Sequence, residues 1–321
     1  MNKSLYFLSK GELIIKDSTI CFINENNEKV LFPIKQVEDL YLNINNKCTP
    51  NLLSLLLKEG IYVHYFNNYE YYIGSVIPAK TKFSGKLLLE EIKHYSDDKK
   101  RLFIAKEMLV ASIKNINRTM KYYYNKDVVL KKININLYIN NISNVKEINE
   151  LRLIEAEVRK KYYSVFPEIL NIEHFNRNFN SNDIVNVLLN FFNSLLYSLI
   201  FSEIMKTKIS GKIGFIHELA DNRYPLIYDL ADIFKPLIVD RLIFKLINRN
   251  QVSNNDIIKG KLTDEIIKKL FEQWNKQINT VIHHKTIKKH MSYRRLIREE
   301  IYKLERHINN KEQYKGFVLW W

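Results

Sequence analysis

Cysteine is almost missing: Cys21 and Cys48 are the two in 321 residues, too few for a disulfide framework or a cysteine-rich zinc module. A long unbroken apolar run is missing too. The longest such stretch, Val187 to Phe201, is interrupted by Asn190, Asn193, Ser194 and Ser198, which argues against a membrane span. Met1-Asn2-Lys3-Ser4 leads straight into strand-like sequence, so no signal-peptide pattern precedes Leu5. These readings lead to the expectation of a soluble, cytoplasmic protein. The 26% charged fraction is not that of a disordered chain, and 46% hydrophobic residues supply ample core. At about 150 residues per domain the length allows two domains.

Acidic residues are also in deficit: 35 Asp and Glu stand against 50 Lys and Arg, a net charge of +15. Residues 1–80 hold 8 basic and 8 acidic side chains, so the whole excess lies beyond them, where 42 basic residues face 27 acidic ones. A basic surface attracts polyanions, nucleic acid above all, through counterion release. A coding bias toward Lys, Asn, Ile and Tyr is the competing source of the same excess.

Short apolar runs such as Leu5–Leu8, Glu12–Lys16, Thr19–Ile23 and Ile61–Phe66, with turn-like residues between them, predict strands in the first eighty residues. Thr49 followed by Pro50 and a leucine-rich run predicts one capped helix ending at Gly60. Tyr71–Gly74 closes the unit. Past Pro78 helical spacing takes over, with few glycines and prolines to break it. Helices are expected near Ser96–Ile113, Val145–Val165, Asn182–Met205, Leu226–Asn248, Thr263–Asn279 and Tyr293–Ile308, and an Asn-rich loop near Asn134–Asn144. No internal repeat is present. The fold class is α+β: a β-rich domain over 1–80, a linker about 76–86, and an all-α catalytic domain over 87–321.

Within the helical region Gly214-Phe215-Ile216-His217-Glu218 precedes a polar stretch and a helix carrying Asp229 and Asp232. Those aspartates are three apart and share a helix face. Two readings fit them equally: acids complementing the helix dipole, or carboxylates that join His217 around Mn²⁺ or Mg²⁺. Glu155 flanks the stripe expected from Leu151, Ile154, Val158 and Tyr162, where pattern alone makes it a solvated charge.

Taken together these segments resemble the CRISPR-associated integrase of the adaptation step, the core endonuclease family Cas-one. Ile154-Glu155-Ala156 with Tyr162 matches one family motif. Asn186–Asn190, Asn193 and Leu196-Tyr197-Ser198 match a second, and Gly214–Glu218 a third. Asp229-Leu230-Ala231-Asp232-Ile233-Phe234-Lys235-Pro236, Val239-Asp240-Arg241 and Ser292–Glu299 follow in order. Tyr72–Ser75 and Ser84-Gly85 agree more loosely with the end of the family's β domain. Ala156 replaces the family's usual Gly and Asp232 its frequent Glu; the first keeps a small side chain and the second still supplies an oxygen.

The resemblance implies that Glu155, His217 and Asp232 bind one divalent metal, Mg²⁺ or Mn²⁺, with Asp229 as an auxiliary acid. It implies an endonuclease and integrase acting on DNA by transesterification to insert new spacers into a CRISPR array. It further implies a homodimer and an assembly with the small companion protein Cas-two. Two rivals share much of this sequence logic: a non-catalytic basic DNA-binding scaffold, and a structure-specific repair nuclease.

DNA-backbone contacts are expected of Arg159, Lys160, Arg223 and Tyr224 near the site. A second set, Lys285, Lys288, Lys289, Arg294, Arg295 and Arg298, lies in a segment with no carboxylate between Thr280 and Ile297. His283, His284 and His290 share that segment, and the surrounding cations disfavour a metal there. The rings of Tyr122–Tyr124 and Tyr162-Tyr163 suit either base stacking or core packing. Trp320-Trp321 is expected to dock on the helical domain.

Overall fold

A computed structural model describes residues 3–7, 10–17, 19–68, 72–124, 132–258, 261–284 and 289–320. Leu8, Tyr71, Lys285, Lys288 and Trp321, singled out above, lie outside the described residues. The chain divides into two compact units: Met1–Thr81 with Asn254–Asn275, and Lys82–Ser253 with Lys276–Trp321. The first is β-rich and the second mostly helical, so the α+β class stands.

The first unit runs β1 (Lys3–Phe7), β2 (Gly11–Lys16), β3 (Thr19–Asn24), β4 (Lys29–Pro33), β5 (Val37–Asn43), β6 (Lys47–Cys48), α1 (Pro50–Lys58), β7 (Tyr62–Phe66) and β8 (Tyr72–Val76). These form two four-stranded sheets, ordered β1-β5-β7-β8 and β4-β3-β2-β6. Leu13, Ile20, Leu40, Leu52, Leu56 and Val63 are fully buried in their common core. Thr49 Oγ1 accepts from Leu52 N and Pro50 opens α1, as the sequence requires. Gly60 follows α1 at φ +75°, a conformation a side chain would strain.

The second unit contains α2 (Gly85–Ser96), α3 (Asp98–Tyr123), α4 (Ile135–Asn144), α5 (Ile148–Tyr163), α6 (Phe166–Leu170), α7 (Ile184–Met205), α8 (Pro225–Lys235), a π-helical turn (Pro236–Asp240) and α9 (Arg241–Asn248). After the short strands β9 (Ile257–Ile258) and β10 (Lys261–Leu262) come α10 (Asp264–Ile278), the hairpin β11 (Val281–His284) and β12 (Lys289–Ser292), and α11 (Tyr293–Ile308). α7 is long and apolar enough to cross a membrane by composition, with mean hydropathy 1.7, yet 83% of that window is buried within the protein. It is the central core helix.

Four expectations are corrected. Asn134–Asn144 is not a loop: Asn134 Oδ1 caps α4 by accepting from Leu137 N, and Ile135, Tyr138 and Ile142 at helical spacing are buried. The helical texture near 281–292 is a hairpin, with His283 opposite His290; β-branched Val281 and Ile282 suit its first strand. Residues 254–275 cluster with the first unit, where Phe271 of α10 packs 5.1 Å from Tyr6. The chain end docks through Tyr314, Phe317 and Leu319, whereas Trp320 stays 54% exposed.

The run expected as one helix, Leu226–Asn248, changes register where Pro236 enters. Proline has no N–H, so the carbonyl of Asp232, four residues back, loses its helical donor. Ser112 Oγ on α3 replaces it at 2.7 Å. Asn115 Nδ2 donates to Ile233 O at 2.9 Å, and Thr119 Oγ1 to Pro236 O at 2.9 Å. Ser112, Asn115 and Thr119 share one face of α3, so a polar stripe stabilises the distorted turn beside Asp232. Asn115 also accepts from Leu319 N at 2.9 Å, tying down the chain end.

Candidate metal centre

The histidine of the centre sits on a loop held from three directions. Asp229, fully buried on α8, accepts from Phe215 N at 2.6 Å and Ile216 N at 3.2 Å through Oδ2. Its Oδ1 accepts from His217 N at 3.0 Å and pairs with His217 Nδ1 at 2.7 Å. These four contacts occupy the accepting sites of a carboxylate. Arg101 Nε donates to Phe215 O at 3.1 Å and Arg152 Nε to Ile216 O at 2.6 Å; Arg152 also pairs with Glu218. Gly214 permits the close approach, because a Cβ there would lie 2.5 Å from Pro225 Cβ and 3.2 Å from Asp229 Oδ2. With Nδ1 held by a carboxylate, the ring presents Nε2 outward, the arrangement of metal-ligating histidines.

Glu155 and Asp232 come from different helices and meet across Arg159. On α5 the buried stripe is Leu151, Val158 and Tyr162, and Glu155 stands at its edge with 21% of its side chain exposed. One turn later Arg159 lies 3.9 Å from Glu155 Oε1 through Nε and 2.8 Å from Asp232 Oδ1 through Nη2. Lys235 Nζ reaches the same Asp232 Oδ1 at 2.8 Å, and its ammonium lies 5.1 Å from the Tyr197 ring. Both cations therefore converge on one oxygen of Asp232.

Burial raises the Glu155 pKa, and the negative charge of Asp232 raises it further against the pull of Arg159, His217 and Lys235. At Asp232 burial opposes ionisation, but Lys235, Arg159 and His217 outweigh it and hold the carboxyl well below the usual range. Burial also opposes a charged His217, yet the bond and charge of Asp229, with Asp232 and Glu155, raise its pKa. Beneath them burial pushes Asp240 up to about 6, against the pull of Arg159. The three expected ligands are thus linked through their charges, although their ligand atoms do not all lie within 4.8 Å of one another. An ionised carboxylate, a second one short of cations and an imidazole with a fixed tautomer fit a hard divalent ion.

The structure gives several expected DNA contacts other work. Arg159 is drawn into the cluster. Arg294 is buried and pairs with Glu203 of α7 at 3.3 Å, and Arg298 pairs with the same carboxylate, so both pin α11 to α7. Lys160, Arg223, Lys289 and Arg295 are exposed, and Tyr224 is half-buried under Lys212, whose Nζ lies 4.3 Å from its ring. Ala156 is exposed, so among the described residues no close helix packing needs a small side chain there. Sequence reasoning missed Lys235 as a partner of Asp232, although their three-residue spacing on a helix was a readable signal.

The model of the family described as CRISPR associated protein Cas1 matches residues 5–276. The chain belongs to the Cas1 family. A CRISPR-associated endonuclease Cas1 of Fusobacterium nucleatum is 34% identical over 330 residues, spanning 100% of this chain and 98% of its own length. The solved structure of a CAS1 protein from Thermotoga maritima superposes with a TM-score of 0.83 at 29% identity, covering 99% of this chain and 100% of that one. A casposase bound to integration product shares the fold, with a TM-score of 0.84 at 18% identity over 98% of this chain and 93% of its own. Membership of the Cas1 family agrees with the motifs from Ile154 to Glu299.

Proposed function

We propose that this chain is a divalent-metal-dependent DNA endonuclease and integrase that inserts new spacers into a CRISPR array. The observation that carries the reading is the electrostatic linkage of the half-buried Glu155 and His217 with the buried Asp232 inside a Cas1 fold. Glu155, Asp232 and Nε2 of His217 would hold Mg²⁺ or Mn²⁺, which supplies Lewis acidity toward a phosphoryl oxygen.

The remaining roles fall to the chain's own groups. Asp229 fixes the His217 tautomer and anchors its loop. Arg159 and Lys235 keep Asp232 ionised and place positive charge where phosphate approaches. In strand transfer the 3′-hydroxyl of a DNA fragment bonds to a phosphorus of the array, the phosphodiester bond to the leaving 3′-oxygen breaks, and one proton is exchanged. The +15 charge supplies sequence-independent affinity for DNA. Pairing of two chains through the β-rich unit, and an assembly with the small companion Cas-two, would give two such centres for two staggered transfers.

The test is a strand-transfer assay run beside a DNA-binding titration. His217→Ala should abolish transfer and leave duplex affinity within about two-fold, since affinity rests on the diffuse charge. Undiminished transfer would refute the reading. A parent protein that binds DNA and Mn²⁺ but transfers no strand would favour the scaffold.

A further inference from the structure

A cavity of about 410 Å³ opens where α9, the end of α3, the β11–β12 hairpin and the chain end meet. That volume lies in the range of small-ligand sites. None of its lining residues belongs to the Glu155, His217 and Asp232 cluster. Arg241 and Lys245 on one face of α9, with Arg249 just past its end, line one wall, and among the described residues no carboxylate lines it. Lys245 and Arg249 also complement the negative end of α9, but that role needs no aromatic neighbours. Here Tyr122 is 65% exposed and Trp320 54% exposed at the rim, and the Arg241 guanidinium lies 5.2 Å from the Tyr122 ring centre. Large exposed rings beside cations and a concave surface mark a binding site more often than packing. Tyr123 also lines the cavity while its ring meets Phe244 at 5.3 Å.

We propose that this cavity binds an unpaired nucleotide, with its phosphate on Arg241, Lys245 and Arg249 and its base against the rings of Tyr122 and Trp320. Cations select the phosphate, and a ring platform accepts any base because every base has a π-face. The ligand is a nucleotide within a single-stranded DNA segment or a free nucleoside monophosphate, which share that chemistry. The proposal goes beyond the strand-transfer reading and involves no metal, so its failure and the failure of that reading are separable.

The experiment uses the full chain in excess EDTA. Three probes are titrated: a short single strand carrying 2-aminopurine, the free 2-aminopurine deoxynucleoside monophosphate, and a blunt duplex. Quenching of the single strand is expected, with Trp320→Ala weakening binding about five-fold or more. The double variant Lys245→Ala with Arg249→Ala, which leaves the ring platform intact, should flatten the single-strand salt slope by about 1.4, or 0.7 per phosphate contact. Blunt-duplex affinity should stay within about two-fold in both variants, as the remaining basic surface carries it. Quenching of the free nucleotide as well would mean that the cavity takes either source; quenching of the strand alone would assign it to DNA. Quenching of neither, or equal losses for single strand and blunt duplex, would overturn the proposal.

Discussion

Two buried carboxylate clusters of the helical unit draw on the same side-chain types and are built in opposite ways. Around Glu203 cations lie on both oxygens: Arg294 at 3.3 Å and Lys206 at 3.8 Å from Oε1, and Arg298 on Oε2. Around Glu155 and Asp232 the distribution is lopsided. Arg159 and Lys235 both take Asp232 Oδ1, while Glu155 has Arg159 at 3.9 Å and a raised pKa. Ion pairs on both oxygens of Glu203 tie α11 to α7. A cluster that leaves a carboxylate short of positive charge, beside an oriented imidazole, is suited to recruit a further cation.

The comparison breaks most sharply at Glu155. Glu155→Ala is expected to lower strand transfer by about 10³-fold or more, the scale of losing metal-supplied charge stabilisation, with thermal stability nearly unchanged. Transfer within about ten-fold of the parent would place Glu155 with Glu203 as a structural acid.

Glu203→Ala should do the converse. It removes a buried ion-pair partner of Arg294 and Arg298, a cost of about 3–5 kcal/mol, visible as a large fall in the denaturant midpoint. A midpoint unmoved by this change would show that the ion cluster does not hold α11 against α7.

Asp229→Asn sharpens the contrast by weakening the orientation of His217 together with part of the anchoring of its loop. Metal affinity should fall about 10–100-fold, with the loop backbone still partly held by the amide oxygen. An unchanged affinity would mean that His217 needs no orienting partner.

The smallest effect concerns pH. Glu91 on α2 is buried, accepts from Ser210 N at 3.0 and 3.2 Å, and has its pKa pushed up to about 8 by burial against the pull of that bond. The folded state therefore binds a proton the unfolded chain has released. The stability contributed is full below the unfolded pKa, near 4.5, and is lost as pH rises through about 8. Glu91→Gln, whose amide oxygen can still accept from Ser210 N, should flatten that decline and stabilise the protein at pH above 8 by on the order of 2 kcal/mol. Parallel stability curves for the two proteins from pH 5 to about 8.5 would exclude Glu91 as the source.

The sequence exposed what depends on local pattern. Thr49-Pro50, the alternating strands and the helical stripe Leu151, Val158 and Tyr162 emerge because capping and burial act over a few residues. The candidate ligands emerged through motif order, since their pattern alone served a helix dipole as well as a metal. Long-range pairings stayed hidden. Nothing near Arg294 in the chain points to Glu203, 91 residues earlier, and the polar stripe of α3 makes sense only once Pro236 lies beside it. The cavity beside α9 likewise joins residues from four segments that no local window contains.

Mn²⁺ binding followed by calorimetry in the parent, Glu155→Ala, His217→Ala and Glu203→Gln proteins tests the metal centre most directly. One ion per chain is expected in the parent, the same site in Glu203→Gln, and loss of that site in the first two variants. Binding that survives intact in Glu155→Ala and His217→Ala, or that vanishes in Glu203→Gln alone, would contradict the assignment.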